Sequence, residues 1–303
     1  MRPRVFRYAD ASRGSFHIPI MNAHQLDVTQ RQTDAGSSFW RDAILPFIEA
    51  RTVADGRQVC YAIHSHESFS VGLIDSGSST YINGRHQCRI EAGTLVLMNP
   101  GDVHACNPIE DQPWAYRMLY VDTGWLTALQ AELGFACGGF RRFAPILTRD
   151  PELQAGFERF HAILIDDRVD QHTKHSAAVE FFGAMHRQLD MEAAAAVSDS
   201  RLRHVAEFIA ANYHRSLKLD EICATARVSP STLIRSFKEH YGMTPHAYLT
   251  NRRVQFARSE LRRGKPIAEV ALAAGFADQA HLQRAFKQLL AATLGHYRGQ
   301  RRV

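Results

Sequence analysis

Residues 233–248 read LIRSFKEHYGMTPHAY, and residues 282–297 read LQRAFKQLLAATLGHY. Six residues are identical between the two stretches, and each pair is separated by 49 positions: a Leu, an Arg, a Phe, a Lys, a Thr and a Tyr. A shorter apolar pattern upstream repeats at a spacing of 48, where Leu219, Ile222 and Ala226 correspond to Ile267, Val270 and Ala274. An internal repeat with so constant a spacing indicates a duplicated helical unit.

Each copy of the repeat has the pattern of a short helix, a tight turn and a second helix. Ser229 and Pro230 are residue types preferred at a helix N-cap and at its first position, and Asp278 is the predicted cap in the second copy. Leu233 and Phe237, four residues apart, are predicted to face the core. The opposite faces are polar and basic: Ser231, Thr232, Arg235, Lys238 and Glu239 in the first copy, and Gln279, Ala280, Gln283 and Arg284, with His281 beside them, in the second.

These faces suit the major groove of double-stranded DNA. A helix docked by a tight turn is the usual reader of that groove. Arg can donate two hydrogen bonds to guanine, and Gln can pair with adenine in the same two-pronged way. Further basic residues are predicted to neutralise DNA phosphates, which contributes affinity without sequence information: Lys238, Arg252, Arg253, Arg258, Arg262, Arg263 and Lys265.

The charge is divided unevenly along the chain. Residues 201–303 carry 18 Lys and Arg against 7 Asp and Glu, a net charge of +11, whereas residues 1–200 carry a net charge of −6. This distribution predicts a polyanionic partner for the basic part alone. The 303 residues suffice for about two domains. The 45% of apolar residues exclude a collagenous or wholly disordered chain.

Neither a membrane span nor a disulfide framework is predicted. No stretch approaches the roughly 18 consecutive apolar residues that a spanning helix needs, and the N-terminus lacks the apolar segment of a secretory signal. The five cysteines are odd in number and form no CxxC pair. The expected location is therefore the cytoplasm.

The chain divides into four segments. Residues 1–36 are predicted to be a flexible extension and residues 191–200 a linker before the basic domain of residues 201–303. Residues 37–190 begin with short runs typical of strands, a hairpin at Asn83-Gly84 among them. The predicted strands are Val59–Ile63, Phe69–Ile74, Thr94–Met98 and Tyr116–Val121. Two amphipathic helices follow, with apolar stripes at Leu153, Phe157, Phe160 and Leu164 and at Val179, Phe182, Met185 and Leu189. These helices could close a barrel or pair with another subunit.

Residues 201–298 resemble the DNA-binding domain of the AraC/XylS family of bacterial transcription regulators. The resemblance rests on residues 233–245 and 267–287. It implies two helix-turn-helix units joined by a long helix from about Pro245 to Arg263. It also implies base readers at Ser231, Ile234, Arg235, Gln279, Ala280, His281, Gln283 and Arg284. The second unit departs from the family's Gly-x-Thr-Pro turn, because residues 291–294 read AATL.

Residues 64–107 resemble the two motifs of cupins, whose β-barrel this family often carries as its sensor domain. His64, His66 and His104 match the cupin histidines, but Ser70 stands at the position of the carboxylate ligand. The predicted fold class is therefore α+β with two domains: a cupin-like β-barrel followed by helices, then an all-α domain with two helix-turn-helix units. Three roles remain open for the histidines: a metal-free ligand pocket, structural support at the barrel mouth, or a metal site.

The favoured function is a DNA-binding transcription regulator controlled by a small-molecule effector. Activation is what the resemblance favours, with RNA polymerase as a further partner, and the paired helices predict a homodimer. The candidate effector-binding residues are Glu49, Arg51, Tyr61, His64, His66, Phe69, Asn99 and His104. No cofactor, metal or catalytic residue is assigned. The alternatives are a metal-dependent cupin enzyme with a DNA-binding appendage, and a ligand-independent regulator whose barrel only dimerises.

Overall fold

The computed structural model describes residues 36–135, 138–192 and 200–299, which belong to one compact unit. Residues 36–192 are called the barrel region below, and residues 200–299 the helical region. The predicted N-terminal extension, apart from Gly36, and residues 193–199 of the predicted linker lie outside the described residues. No helix in the described part of the chain is long and apolar enough to cross a bilayer.

The barrel region is built on one antiparallel sheet. Its strands are β1 Ser37–Arg41, β2 Ile48–Val53, β3 Phe69–Asn83, β4 His86–Glu91, β5 Leu95–Met98, β6 His104–Pro108, β7 Trp114–Val121 and β8 Leu147–Thr148. The order is β1-β2-β7-β3-β5-β8, and β4 and β6 both pair with the far half of β3. The predicted sheet-rich N-terminal domain is confirmed.

Strand β3 changes partners along its 15 residues: its first half pairs with β7 and β5, and its second half with β4 and β6. Its pairing with β7 shifts register between Ile74 and Ser76. Gly77 lies just beyond this shift with a φ of 70°, and a Cβ there would approach the Pro113 carbonyl oxygen to 2.0 Å. Only glycine fits such a close approach in that backbone conformation. The irregular pairing at this point therefore depends on Gly77.

The predicted strands are confirmed except for the first. Val59–Ile63 is not a strand, because its backbone amides bond to scattered partners: Val59 to the Gly56 carbonyl, Tyr61 to the Asn107 side chain and Ala62 to the Gln288 carbonyl. The hairpin at Asn83-Gly84 is confirmed, since Asn83 lies opposite His86 across the turn. The apolar composition of residues 59–63 was therefore not enough to tell a strand from an irregular stretch that contacts the helical region.

Three helices complete the barrel region: α1 Thr123–Glu132, α2 Pro151–Ile165 and α3 Gln171–Gln188. Asp150 and Asp170 cap α2 and α3 through their carboxylates. The predicted apolar face of α2 is buried at all four positions. On α3, Phe182 and Met185 are buried as predicted, but Val179 and Leu189 are only partly covered, because the core face turns toward Ala178 and Phe181.

The helical region contains the duplicated unit. Its helices are α4 Ser200–Asn212, α5 Leu219–Ala226, α6 Pro230–Tyr241, α7 Pro245–Arg262, α8 Ile267–Ala273, α9 Gln279–Leu290 and α10 Leu294–Gly299. Helices α5 and α6 form the first helix-turn-helix unit, α8 and α9 the second, and α7 joins them. Ser229 and Asp278 cap α6 and α9 as predicted, accepting hydrogen bonds from the Thr232 and His281 amides. This helical architecture is confirmed.

The unusual turn of the second unit keeps the geometry of the first. The C-cap residue after α6 is Gly242 with a φ of 69°, and the C-cap residue after α9 is Ala291 with a φ of 47°. Thr244 and Thr293 then cap the following helices through hydrogen bonds of 3.2 Å from the amides three residues on. The departure at residues 291–294 therefore places an alanine in the left-handed conformation without changing the turn.

Candidate functional site

The first recognition helix, α6, presents the polar face predicted for it. Leu233 and Phe237 are fully buried in the core, whereas Ser231, Thr232, Arg235 and Lys238 are exposed. Ile234 is 37% exposed on the same helix. An apolar side chain there could contact a thymine methyl group.

The second recognition helix, α9, presents four of its five predicted readers. Gln279, Ala280, His281 and Arg284 are exposed. Gln283 is half-buried, and its side-chain oxygen accepts a hydrogen bond of 3.2 Å from the Leu294 amide. That bond supports the first turn of α10, so in this structure the Gln283 amide group is directed to the protein.

Several arginines predicted to neutralise phosphates contact protein groups instead. Arg252 pairs with Glu67, Arg258 donates to Glu49 at 2.6 Å, and Arg262 donates to the Pro46 carbonyl at 3.2 Å. All three partners lie in the barrel region, so this side of α7 faces the barrel. Arg253 donates to carbonyls after α4, and Arg263 pairs with Glu260. Lys238 and Lys265 are exposed.

Glu49 joins the two regions through a buried cluster, called the Glu49 cluster below: Glu49, Arg41, Arg258 and Tyr297. Its carboxylate accepts hydrogen bonds from Arg41 at 2.5 Å, Arg258 at 2.6 Å and the Tyr297 hydroxyl at 3.0 Å. Burial raises the pKa of Glu49, but the charges of Arg258, Arg41 and Arg262 outweigh it and hold that pKa well below its usual range. Glu49 is therefore an ionised link between β2 and α7.

Arg51, two residues along β2 on the same face, contacts the end of α9. Its guanidinium donates to the Leu290 carbonyl at 2.6 Å, the Ala291 carbonyl at 3.0 Å and the Tyr61 hydroxyl at 2.7 Å. The sequence predicted that Glu49 and Arg51 share one face and bind an effector. The shared face is present, but both side chains contact the helical region and neither lines the cavity described next.

A cavity of about 30 Å³ lies inside the barrel. Four predicted residues line it: Tyr61, His64, His66 and His104. Phe69 and Asn99 do not: Phe69 packs in the core beside Phe143, and Asn99 bonds to the Phe143 backbone. The lining residues that sequence reasoning missed are Ser70, Gly72, Ile74, Val96, Met98, Cys106, Trp114, Tyr116, Met118 and Tyr120. Tyr116, Met118 and Tyr120 alternate along β7, a signal visible in the sequence.

The three histidines are neutral and make the same kind of hydrogen bond. Each ring places Nδ1 at 2.8 to 2.9 Å from a backbone carbonyl, so Nδ1 carries the proton and Nε2 is free to accept. The ring of His104 lies 4.4 Å from that of His64 and 4.8 Å from that of His66. Burial lowers the pKa of all three, and for His64 and His66 the pKa falls well below the usual range.

The carboxylate ligand of cupins is replaced by a serine beside these histidines. Ser70, which replaces the expected carboxylate, has its hydroxyl 3.0 Å from Nε2 of His66, where a metal would have to bind. Among the residues that the structure describes, no group of three or more His, Cys, Asp or Glu side chains is arranged to hold a metal ion.

Comparison with known proteins agrees with both halves of this architecture. Residues 48–182 match the model of the AraC-like ligand binding domain, and residues 222–300 match a helix-turn-helix domain model. The chain is 23% identical over 231 residues to the uncharacterised regulator YbfI of Bacillus subtilis, covering 72% of this chain and 80% of YbfI. It is 21% identical over 243 residues to the activator RhaS of Klebsiella pneumoniae, covering 76% of this chain and 85% of RhaS.

A solved structure shares the fold. ToxT of Vibrio cholerae with a bound unsaturated fatty acid superimposes with a TM-score of 0.52 at 14% identity, covering 86% of this chain and 93% of ToxT. The ligand-binding model matches the barrel region, and the helix-turn-helix model matches the helical region. The chain is a DNA-binding transcription regulator of the AraC family, with an AraC-like ligand-binding domain ahead of its helix-turn-helix domain.

Proposed function

We propose that this regulator binds a small-molecule effector in the barrel cavity and that the effector weakens the contacts between the barrel region and the helical region. The observation that carries the proposal concerns two tyrosines. Tyr61 and Tyr120 line the cavity. Each also contacts an arginine that joins the barrel region to the helical region. The Tyr61 hydroxyl accepts from Arg51 at 2.7 Å, and the Tyr120 ring lies 4.4 Å from the Arg258 guanidinium.

These contacts connect the effector cavity to the recognition helices through single arginine side chains. Arg51 bonds to the last carbonyls of α9, and Arg258 lies on α7, which joins the two helix-turn-helix units. On the barrel side of α6, Arg85 lies 3.4 Å from the Glu239 carbonyl. The barrel thus contacts the ends of both recognition helices while their polar faces stay exposed. An effector acts only if it binds one arrangement better than the other, and displacing Tyr61 or Tyr120 would provide that difference.

The proposed DNA contacts follow the two exposed faces. Arg235 and Arg284 are the principal base readers, since Arg is the most frequent specific contact to guanine. Ser231, Thr232, Ile234, Gln279, Ala280 and His281 contribute around them, and Lys238 serves a phosphate. Gln283 remains in the set only if DNA draws it away from Leu294. This assignment is supported by exposure and by the repeat, which gives both arginines the same place in their helices.

A second copy of the chain is the proposed occupant of the groove between α2 and α3. Its floor contains small and aromatic residues, Ala155, Gly156, Ala177 and Phe181 among them, and its rim carries Glu152, Arg159 and Glu180. Acidic and basic groups on one surface can pair with their counterparts across a two-fold axis. A homodimer of this kind would read two half-sites.

The proposed setting is activation of transcription in the cytoplasm, with RNA polymerase as a further partner. RhaS is named as an activator, and ToxT holds a fatty acid in the structure compared above; both support a ligand-responsive activator. Catalysis and metal binding are not part of the proposal. The bond between Ser70 and His66 favours a metal-free pocket over the alternative of a cupin enzyme.

Genome-wide mapping of bound DNA tests the proposal. The parent protein should occupy a small set of promoters, and the Arg235→Ala and Arg284→Ala variants should lose them. Genes beside those promoters supply candidate effectors, which should raise the melting temperature of the purified parent because they bind the folded state. Unchanged occupancy in both variants would reject the assigned faces. If no candidate shifts the melting temperature or the affinity for DNA, the barrel only dimerises.

A further inference from the structure

Arg51 is a buried cation without a carboxylate partner among the described residues. It is 1% exposed, and it donates hydrogen bonds to the hydroxyls of Ser37 and Tyr61 and to the carbonyls of Leu290 and Ala291, with the Tyr120 hydroxyl as a further neutral partner. Its neighbour Arg258 has Glu49, as does Arg41. Buried charges are normally paired, because an ion loses its hydration on burial. The hydrogen-bond partners of Arg51 are all neutral, and an anion would bind this cation more strongly than they do.

A hydrogen-bonded relay leads from Arg51 to the cavity. The Tyr61 hydroxyl, which accepts from Arg51, lies 2.6 Å from the Tyr116 hydroxyl, and both tyrosines line the cavity. The His64 ring lies 5.4 Å from the Tyr61 ring. Hydroxyl groups beside a cation are good donors to a carboxylate. This end of the cavity thus offers polar groups backed by positive charge.

The cavity has positive charge behind it on the Arg51 side, where the described residues supply no carboxylate, whereas Arg258 is paired with Glu49. The cavity lining contains no Asp, Glu, Lys or Arg, and Arg51 and Arg258 lie directly behind its tyrosines. Burial is the main cause of the lowered pKa of His64, and the positive charges of Arg258 and Arg51 lower that pKa further. The same charges would stabilise an anion. The other side chains of the lining are mainly apolar, Ile74, Val96, Met98 and Trp114 among them, and would suit a hydrocarbon body.

The cavity also limits the size of its ligand. Its 30 Å³ leaves room for only a few water molecules, so an organic ligand has to displace side chains. Met98 and Met118 are the side chains most able to move, since methionine is unbranched and flexible. The Met118 methyl group lies over Gly72, where a Cβ would approach it to 2.6 Å. A short carboxylic acid is more readily admitted than a long-chain one.

We propose that the barrel cavity binds a short organic carboxylate beside Tyr61 and Tyr116, and that the bound anion competes with the Leu290 and Ala291 carbonyls for the Arg51 guanidinium. This inference rests on the proposed function, since it names the effector class and the contact that the effector weakens. As Arg51 turns toward the anion, the C-terminal end of α9 loses its two side-chain donors. The second recognition helix is then released from β2.

Thermal shift and calorimetry on the full chain test the ligand class. The probes are butyrate, hexanoate, benzoate and phenylacetate, each paired with its uncharged amide of nearly the same shape. At least one acid should bind about tenfold or more tightly than its amide, as expected for a hydrogen bond to a charged group. Hydrogen exchange of backbone amides at residues 288–294 should rise when that acid binds.

Two variants locate the site. Tyr61→Phe removes one hydroxyl from the cavity and should abolish the preference for acid over amide. Tyr81→Phe removes a buried barrel hydroxyl that bonds to the Leu97 carbonyl, away from the cavity lining, and should keep the preference. Equal binding of acid and amide, binding by no acid, or a preference that survives in Tyr61→Phe overturns the inference. An effector of another class found through the mapped promoters would leave the proposed function standing.

Discussion

The carboxylate of Glu49 on β2 accepts a hydrogen bond of 2.6 Å from Arg258 on α7, and both side chains are buried. This contact joins β2, which pairs with the strand that carries Tyr116 and Tyr120, to the helix that connects the two DNA-reading units. It also explains part of the charge distribution, because basic groups of the helical region meet acidic groups of the barrel. The interface is thus electrostatic as well as apolar.

Removing the Glu49 charge should destabilise the protein severely. In Glu49→Gln, Arg41 and Arg258 stay buried without their common anion, and breaking a buried ion pair costs about 3–5 kcal/mol. Urea unfolding of the parent and the variant measures this loss. Glu67→Gln is the matched control, because Glu67 pairs with Arg252 at an exposed site and such pairs contribute about 0–1 kcal/mol. Similar losses in the two variants would show that the Glu49 cluster is not a structural link.

Acid should weaken the fold through buried neutral histidines. Burial lowers the pKa of His161 to about 4, with Arg117 adding to the effect. Between pH 4 and the ordinary His value of about 6.5, the unfolded chain binds a proton that the folded chain does not. Stability from His161 is therefore complete above that window and falls by about 1.4 kcal/mol per pH unit within it.

His161→Phe removes this contribution. Urea unfolding at pH 7, 6 and 5 should show a shallower loss of stability in the variant than in the parent. At pH 7 and above, where His161 is neutral in both states, the two curves should run parallel. A variant that loses stability as steeply as the parent at pH 5 would contradict the assignment.

Arg235 and Arg284 should contribute to the part of the DNA affinity that depends on base sequence. Arg235→Ala and Arg284→Ala should each weaken the free energy of binding to an operator found by the promoter mapping by about 1–3 kcal/mol. Fluorescence anisotropy measures this loss. Arg203→Ala is the matched control for charge, because Arg203 lies exposed on α4 beside Glu207. Losses as large in the control would mean that net charge, and not base reading, determines the affinity.

The turn between α8 and α9 should tolerate no side chain at Gly275. This residue has a φ of 81°, and a Cβ would lie 2.7 Å from the Tyr213 carbonyl oxygen. Gly275→Ala should destabilise the fold by at least about 1–2 kcal/mol, the cost of the left-handed conformation alone. Gly295→Ala lies in α10 with nothing near its Cβ position, and its thermal unfolding should match or exceed that of the parent. The reverse ranking would contradict the turn geometry.

The sequence predicted the helical region in more detail than the barrel interface. The two copies of the repeat are local patterns in which caps, apolar spacing and turns act within a few residues, and the structure has helices α5 to α9 where they were expected. The Ala291 turn was the uncertain element, and Thr293 preserves it. The bond between Gln283 and the Leu294 amide was not predicted, because the two residues lie 11 positions apart.

The barrel shows what a single sequence leaves open. Alternation placed Glu49 and Arg51 on one face of a strand, but nothing local indicated that α7 and α9 would cover that face. The histidines and Tyr61 surround the cavity as expected, whereas Phe69 and Asn99 belong to the core and a loop. Which of two faces meets a ligand is decided by tertiary packing.

The affinity of the Arg258→Met variant for the operator, measured without effector, tests the central claim most directly. Arg258 faces the barrel, and its loss should release the helical region while Arg41 still pairs with Glu49. Coupling between sites typically amounts to about 5-fold or more in affinity, so the variant should bind the operator about fivefold or more tightly than the parent. Loss of a positive charge by itself can only weaken binding to DNA. Unchanged or weaker affinity would contradict control of the DNA-reading helices by the barrel.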